Sequence, residues 1–420
     1  MKQKTTDRQH LSNPGESAIP AWSDMEAWVR GKIQELLQGV LEAEVVELLG
    51  RAKSERRSII DDAAGYRNGY GKARKLTMGA GTVTLRRPRV RGLEERFESR
   101  VLPLFIRRTQ QVSDLIPELY LHGLAQGDFD LALRGLLGEG APLSAATVGR
   151  LKAKWQVEWE EWNQRSLADL EVVYLWVDGI YVKAGLEKSK AALLVVLGAL
   201  SDGRKIVLTV RPGHRESTES WSAVLRDLQA RGMTPPRLVV GDGHLGIWGA
   251  WRNVYPEVAE QRCWNHRIVN ILDTLPKNAQ AQALLYLKVI PYALTRAEAL
   301  RLRQAFQTWC RRHGHTLAAQ RIEADWERMV AFYDFPKEHW RHIRTTNPIE
   351  SPFAALRLRT DAAKRYKSVA NATAILWKLL LVAERRFRRL NAPERLQDVF
   401  RGAKYQDGIQ LSKATRSHAA

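Results

Sequence analysis

The run Val172-Val173-Tyr174-Leu175-Trp176-Val177-Asp178-Gly179-Ile180-Tyr181-Val182 restricts the fold more than any other stretch of the chain. β-Branched and aromatic residues crowded around one carboxylate read as a buried or half-buried strand. An acid in that setting is costly to desolvate unless something positive, most simply a metal ion, meets it. Two later acids share the unusual placement. Leu238 to Gly243 is a short apolar strand ending at Asp242, between glycines that let backbone and ligand approach closely. Thr345 to Glu350 leads into an apolar-periodic stretch with arginines, which sets Glu350 at the opening of a helix. The three acids are separated by 64 and 108 residues. Two strand positions and one helix start can converge at the carboxyl side of a sheet, where α/β folds place ligands. Hard oxygen donors of this kind suit Mg²⁺ or Mn²⁺ better than zinc.

Taken singly, each acid has an ordinary explanation. Asp178 reads equally as a strand acid bonded to backbone amides, and Asp242-Gly243 as a turn. Asn347-x-x-Glu350 has the spacing of a capping box.

Charge is the strongest global signal: 66 Lys and Arg stand against 46 Asp and Glu in 420 residues, a formal net charge of +20. Such an excess points to a polyanion, most simply nucleic acid. The competing polyanion is a membrane surface, yet no apolar run approaches the roughly 20 residues of a spanning helix. Met1 to Pro20 lacks the apolar centre of a signal peptide. Two cysteines, Cys263 and Cys310, make no disulfide framework, so a cytoplasmic protein is expected.

In chain order, residues 1–20 read as a disordered polar tail. Residues 21–110 form an N-terminal helical and β-hairpin region for DNA binding and dimerisation. Its helix is capped by Ser23 and carries an apolar stripe from Met25 to Leu49, a core or dimer face. Its hairpin is read from alternation in residues 75–89, with Arg86, Arg87 and Arg89 as basic outward positions. Between Arg51 and Arg108 there are sixteen Lys and Arg against six Asp and Glu, more than a solvated face needs and suited to phosphate contact. Residues 111–168 form a helical domain with the pattern of a helix-turn-helix, in which Ser144 is a cap and Arg150 and Lys152 face DNA. Trp155, Trp159 and Trp162 read as packing residues of its last helix.

Residues 169–276 are the first part of an α/β core, with strands at 172–182, 191–200 and 204–211, a helix at 217–231 and a strand at 237–241. That β-β-β-α-β order, with an acid in the first strand and another after the fourth, is the arrangement of a ribonuclease-H-like fold. Residues 277–341 carry only helical signal and read as an all-α insertion. Residues 342–420 hold the Glu350 helix and a basic tail, with seventeen Lys and Arg against six Asp and Glu from Arg341 to Ala420.

Trp-Val-Asp-Gly at 176–179, Val-Gly-Asp-Gly-His-Leu-Gly at 240–246 and Gln-Arg-Cys-Trp-Asn-His at 261–266 resemble the mutator-type family of bacterial insertion-sequence transposases. Residues 335–340 and 344–351 continue the resemblance, which covers roughly residues 20–410. It implies that Asp178, Asp242 and Glu350 are an Asp-Asp-Glu catalytic and metal-holding triad, on a ribonuclease-H-like fold interrupted by the helical insertion. It makes Cys263 and His266 the family's Cys-x-x-His motif beside the site, and Arg357 the basic position two turns past Glu350. Arg359 and Lys364 join it as expected DNA contacts. The implied activity is cleavage of element ends and transfer of the freed 3′-hydroxyl to target DNA, with two Mg²⁺ ions, Mn²⁺ being a substitute. Implied partners are double-stranded terminal inverted repeats, target DNA and at least a second copy of the chain, in a bacterial, nucleoid-associated setting.

Two departures stand out. Pro352 follows Ser351, which suggests a helix starting with Ser351 as cap and Pro352 as its first residue. Lys364-Arg365 replaces a Lys-Gly pair common there. Cys263-x-x-His266 also has zinc-type spacing, with Cys310-x-x-His313 as a second pair; its position after a core strand favours packing or hydrogen bonding beside the acids. His214 and His244 fall near the site in the chain and read first as structural residues. A DNA-binding protein derived from a transposase but no longer cutting, and a structure-specific nuclease, are the competing readings.

Overall fold

A computed structural model describes residues 20–55, 65–124, 128–137, 145–186, 190–214, 217–243 and 245–411. The chain divides into two compact units, Met1–Tyr120 with Gln126–Val148, and Leu121–Ala125 with Gly149–Ala420.

In the first unit, helix α1 (Met25–Leu49) ends at Gly50, whose φ of 63° allows the left-handed stop. Ser23 does not cap it: Trp22–Asp24 form a 3₁₀ turn and Asp24 precedes the first α-helical residue. Four short strands follow. β1 (Tyr66–Tyr70) pairs antiparallel with β4 (Pro88–Arg91), and β2 (Arg74–Met78) with β3 (Gly81–Leu85). The β2–β3 pair is the hairpin that alternation implied, and the Gly65 to Gly71 run supplies β1. Leu41 of α1 packs on Leu76, Val83, Leu85 and Leu102 in a small core. The Gln34 and Gln38 side chains accept from the Thr84 and Arg86 amides, supplying the edge of β3 with partners that a further strand would otherwise give. Arg86 and Arg89 are exposed, and Arg87 is half-buried.

Helices α2 (Gln110–Leu121) and α3 (Phe129–Leu137) come next, and the boundary between the units falls within α4 (Ala145–Trp162). The expected Ser144 cap and the glycines of the preceding turn lie outside the described residues. Arg150 is exposed and Lys152 half-buried. The tryptophans of α4 pack, as read: Trp155 is buried, Trp159 donates Nε1–H to the Val210 carbonyl at 3.1 Å, and Trp162 lies 5.6 Å from the Trp377 ring.

The second unit is built on a five-stranded sheet. β5 (Val172–Val182) pairs antiparallel with β6 (Ala191–Leu200), and β6 with β7 (Lys205–Gly213). The chain crosses through α5 (Thr218–Ala230), capped by the Ser217 hydroxyl, to β8 (Leu238–Gly241), parallel to β5. After α6 (Leu245–Val254), β9 (Ala259–Arg262) pairs parallel with β8, giving the order β7-β6-β5-β8-β9. Strand positions alternate between the faces. Leu175, Val177 and Val239 face one side, where Trp221 and Leu225 of α5 and Trp248 and Trp251 of α6 complete an apolar core.

The opposite face is covered by the later part of the chain. α7 (Trp264–Leu272) is followed by α8 (Lys277–Leu287), α9 (Arg296–Arg312), α10 (Thr316–Glu323), α11 (Trp326–Val330) and α12 (Trp340–Ile343), with 3₁₀ turns between them and no strand from Lys277 to Ile343. Tyr174 and Trp176 point to this side: the Tyr174 hydroxyl bonds His339 Nδ1 at 2.8 Å, and Trp176 Nε1–H donates to the His342 carbonyl at 3.0 Å. Then come α13 (Asn347–Ala363), α14 (Val369–Glu384), α15 (Pro393–Phe400) and a two-stranded end, β10 (Tyr405–Gln406) with β11 (Ile409–Gln410). Among the described residues no helix is long and apolar enough to cross a membrane.

Candidate active site

Asp178 lies well inside β5, opposite Val195 of β6, and is 5% exposed. One carboxylate oxygen accepts the Gly179 amide at 2.7 Å. By alternation it shares the face of Tyr174 and Trp176, under the segment that leads to α13. The parallel register pairs Trp176 with Val240, so a further two-residue step on each strand brings Asp178 level with Asp242. Asp242 is also 5% exposed and follows the last residue of β8. Its neighbours fix its direction. A Cβ on Gly241 would meet Trp248, Val177 and Ile247 on the apolar side, which leaves Asp242 the other face. Gly243 has φ of +101°, and a Cβ there would come within 2.3 Å of Arg262 Nε. Only glycine suits both constraints.

β9 continues the pattern. Gln261 stands across from Val240, its amide donating to the Met329 carbonyl and accepting from the Phe332 amide. Cys263, next on the same face, is wholly buried and donates its amide to the Gly241 carbonyl at 2.8 Å. As N-cap residue of α7 it places His266 one turn further on the same side. The Trp264 amide donates to the Arg344 carbonyl at 3.1 Å, joining α7 to the start of α13.

Glu350 stands in the first turn of α13. The expected start at Ser351 and Pro352 is corrected: the helix begins at Asn347 with Thr346 as N-cap, Pro348 occupies the first turn, and Pro352 lies inside the helix. Pro348 supplies the preorganised φ and lacks an amide hydrogen that would have no partner there anyway. The capping-box reading falls with it, since Asn347 is not the cap. Glu350 Oε1 instead accepts from the Thr346 hydroxyl and lies 3.6 Å from His266 Nδ1. Its side chain is 32% exposed, open enough to reach a ligand.

Donor atoms of Cys263, His266 and Glu350 all lie within 4.8 Å of one another. The Cys263 side chain hydrogen-bonded to His266, helped by the charges of Glu350 and Asp242 and opposed by burial, holds the imidazole up to about 9. Glu350 and Asp242 both lie close enough for their charge to favour the protonated ring. Among the described residues Cys310 and His313 join no such group; Cys310 is buried, its thiol pushed up to about 11 by burial, and His313 bonds the Trp309 carbonyl. His214 is described but His244 is not.

The basic residues of α13 separate. Arg357 is exposed two turns past Glu350. Arg359 departs from expectation: it is 3% exposed and its guanidinium donates to the Leu124 carbonyl at 3.0 Å, so it supports structure and is closed to a phosphate. Lys364 is exposed but ends the helix with φ of 54°, a conformation costly for a residue with a Cβ. The absence of glycine in this turn is thus met by strain at Lys364, and the Arg365 guanidinium donates to the Gly185 carbonyl. Thr346, which composition and spacing did not single out, sits at the meeting point of these side chains; only the contacts of the fold reveal it.

The mixed sheet carries two buried acids, Asp178 within β5 and Asp242 directly after β8, in a strongly basic chain, and comparison with known proteins makes the class specific. The chain belongs to the Mutator family of transposases, whose family model matches residues 5–388. It is 45% identical to the transposase for insertion sequence element IS6120 of Mycolicibacterium smegmatis over 304 residues, which cover 72% of this chain and 94% of that one. It is 42% identical to the transposase for element IST2 of Acidithiobacillus ferrooxidans, covering 66% of this chain and 94% of its relative. The transposase for element ISRM5 of Rhizobium meliloti matches at 28% over 88% of this chain and 91% of its own length.

Proposed function

We propose that this transposase cleaves the ends of an insertion sequence and joins the freed 3′-hydroxyl to target DNA by Mg²⁺-dependent phosphoryl transfer, with Asp178, Asp242 and Glu350 as its catalytic carboxylates. The fold in this reading is ribonuclease-H-like, α8 to α12 being an all-α insertion before the last catalytic helix. One observation supports it: Asp178 and Asp242 each stand two residues past the Trp176–Val240 pair of adjacent parallel strands, and hydrogen bonds run from Gly241 through Cys263 and Thr346 to Glu350.

The donor set fits the proposed ions. Two buried carboxylates and a third, less buried one are hard oxygen donors of the kind Mg²⁺ takes. Mg²⁺, or Mn²⁺ in its place, would activate the attacking oxygen and offset charge on the leaving oxygen. Asp178, Asp242 and Glu350 would hold such ions. Asp178 sits within β5 and Asp242 directly after β8, which supports a site formed before DNA arrives. Arg357 is placed to meet a phosphate of the bound strand. Arg86, Arg89 and Arg150 offer exposed charge for the terminal repeats, with the less exposed Arg87 and Lys152 beside them. Two element ends must be brought together, so the active form is at least a dimer; the exposed Trp28, Leu36 and Leu48 of α1 give a second copy an apolar surface.

The test is strand cleavage on a linear duplex carrying the inverted repeats that flank the gene for this chain. Wild type with Mg²⁺ gives nicks at the repeat ends and joined products; Asp178→Ala and Asp242→Ala retain the DNA without nicking it. Retention without nicks in every sample would mark a silent DNA-binding protein. Cutting without preference for repeat ends and without joined products would mark a structure-specific nuclease.

A further inference from the structure

We propose that the Thr346 hydroxyl is a positioning group that fastens Glu350 to the Cys263–His266 pair. This rests on the reading of Glu350 as a catalytic carboxylate.

An N-cap threonine ordinarily turns its hydroxyl to a free amide of the first helical turn. Thr346 is the N-cap of a 17-residue helix, is completely buried, and makes no such bond. Its Oγ1 lies instead 3.1 Å from Cys263 Sγ, 3.4 Å from His266 Nδ1 and in hydrogen-bond contact with Glu350 Oε1. The helix start gives up a stabilising contact to hold three side chains. A hydroxyl has one proton and two lone pairs, which decides how the cluster is wired. The anionic Glu350 oxygen is the strongest acceptor and takes the proton. Cys263 Sγ, at 3.1 Å, is the alternative acceptor for that proton, and His266 Nδ1 lies 3.4 Å from the hydroxyl oxygen. The Thr346 amide donates to Cys263 Sγ at 3.3 Å, so backbone and side chain are both anchored.

Each link is short and rests on the next. Gly241, beside Asp242, holds the Cys263 amide; Cys263 holds Thr346; Thr346 holds Glu350 one turn into α13. The separation between the strand acids and the helix acid is therefore set by side-chain bonds as well as by packing. The motif's spacing follows: cysteine at the helix cap and histidine one turn on put both side chains against one hydroxyl.

A metal ion ligated by Cys263, His266 and Glu350 is the competing use of the same atoms. Thr346 Oγ1 is in hydrogen-bond reach of all three donors, which favours the hydrogen-bonded hub.

The experiment compares Thr346→Val, which keeps the shape and removes the hydroxyl, with Thr346→Ser, which keeps the hydroxyl. Single-turnover cleavage of the repeat-end duplex is followed across Mg²⁺ concentrations, with DNA affinity and melting measured alongside. Thr346→Val is expected to cleave about 10- to 100-fold more slowly and to need about tenfold more Mg²⁺, at unchanged DNA affinity. Thr346→Ser is expected within about threefold of wild type. A valine variant with wild-type rate and Mg²⁺ requirement overturns the proposal, as does a serine variant as slow as valine. If the valine variant does not fold, Cys263→Ala tests the same link from its other end: a raised Mg²⁺ requirement supports it and an unchanged one overturns it. One zinc ion per purified wild-type chain, absent from Cys263→Ala, also overturns it. Asp178→Ala separates the two levels. Cleavage by that variant defeats the reading of the acids themselves, whereas an inactive Asp178→Ala beside an unaffected Thr346→Val defeats only the role of threonine.

Discussion

On one face of the central sheet Leu175, Val177 and Val239 meet Trp221, Leu225 and Trp248 in an apolar core, while the same strands turn Asp178, Asp242, Gln261 and Cys263 to the other face. β5 serves both through its period-two alternation. The first face stabilises the fold by removing apolar area from water. The second spends part of that stability in keeping acids buried, Asp178 within β5 and Asp242 directly after β8, a cost that the proposed cations would relieve. Substitutions on the two faces should therefore fail in different assays.

The largest contrast is between Asp242→Asn and Trp221→Ala. Asp242→Asn is expected to lower cleavage about 10³-fold, the equivalent of several kcal/mol of transition-state stabilisation. Its melting midpoint should equal or exceed that of wild type, because one buried charge is gone. Trp221→Ala should cost about 3–5 kcal/mol of stability in urea denaturation while its folded fraction still cleaves. An asparagine variant that melts lower than the alanine variant would erase the distinction. A smaller effect is expected for Gly243→Ala, where the positive φ and the Arg262 guanidinium together should cost about 1–3 kcal/mol and displace Asp242. It should lose both stability and cleavage, which makes the turn after β8 the point where the faces are coupled.

The smallest effect concerns the histidines under the acid-bearing face. Burial lowers His339 from its ordinary value and lowers His342 to about 4. A depressed histidine favours the folded state above the unfolded pKa and loses that contribution as pH falls towards its folded value. The melting midpoint should thus decline between about pH 6.5 and 4, and His342→Gln should decline less over that window. An identical pH profile for the two proteins would contradict the assignment.

Much of this was legible in the sequence because apolar runs and punctuation coincide. Val172 to Val182 and Ala191 to Leu200 are strands over the residues that the sequence marks out. Asp242 between two glycines announced a strand end and a close approach. The start of α13 was not legible: Ser351-Pro352 obeys a local rule for helix starts, but Thr346, held by a cysteine 83 residues earlier, begins the helix a turn sooner. Arg359 shows the same limit, since helical spacing says nothing of the Leu124 carbonyl that takes its guanidinium inward. Thr346 was hidden for that reason too, its three side-chain partners being assembled only by the fold.

The most direct measurement is an Mn²⁺ titration, read by electron paramagnetic resonance, of the chain bound to its repeat-end duplex. The account predicts that wild type sequesters Mn²⁺ at the protein and that Asp178→Asn, Asp242→Asn and Glu350→Gln each weaken this by at least about tenfold. Equal Mn²⁺ uptake by wild type and a variant lacking all three carboxylates would contradict it.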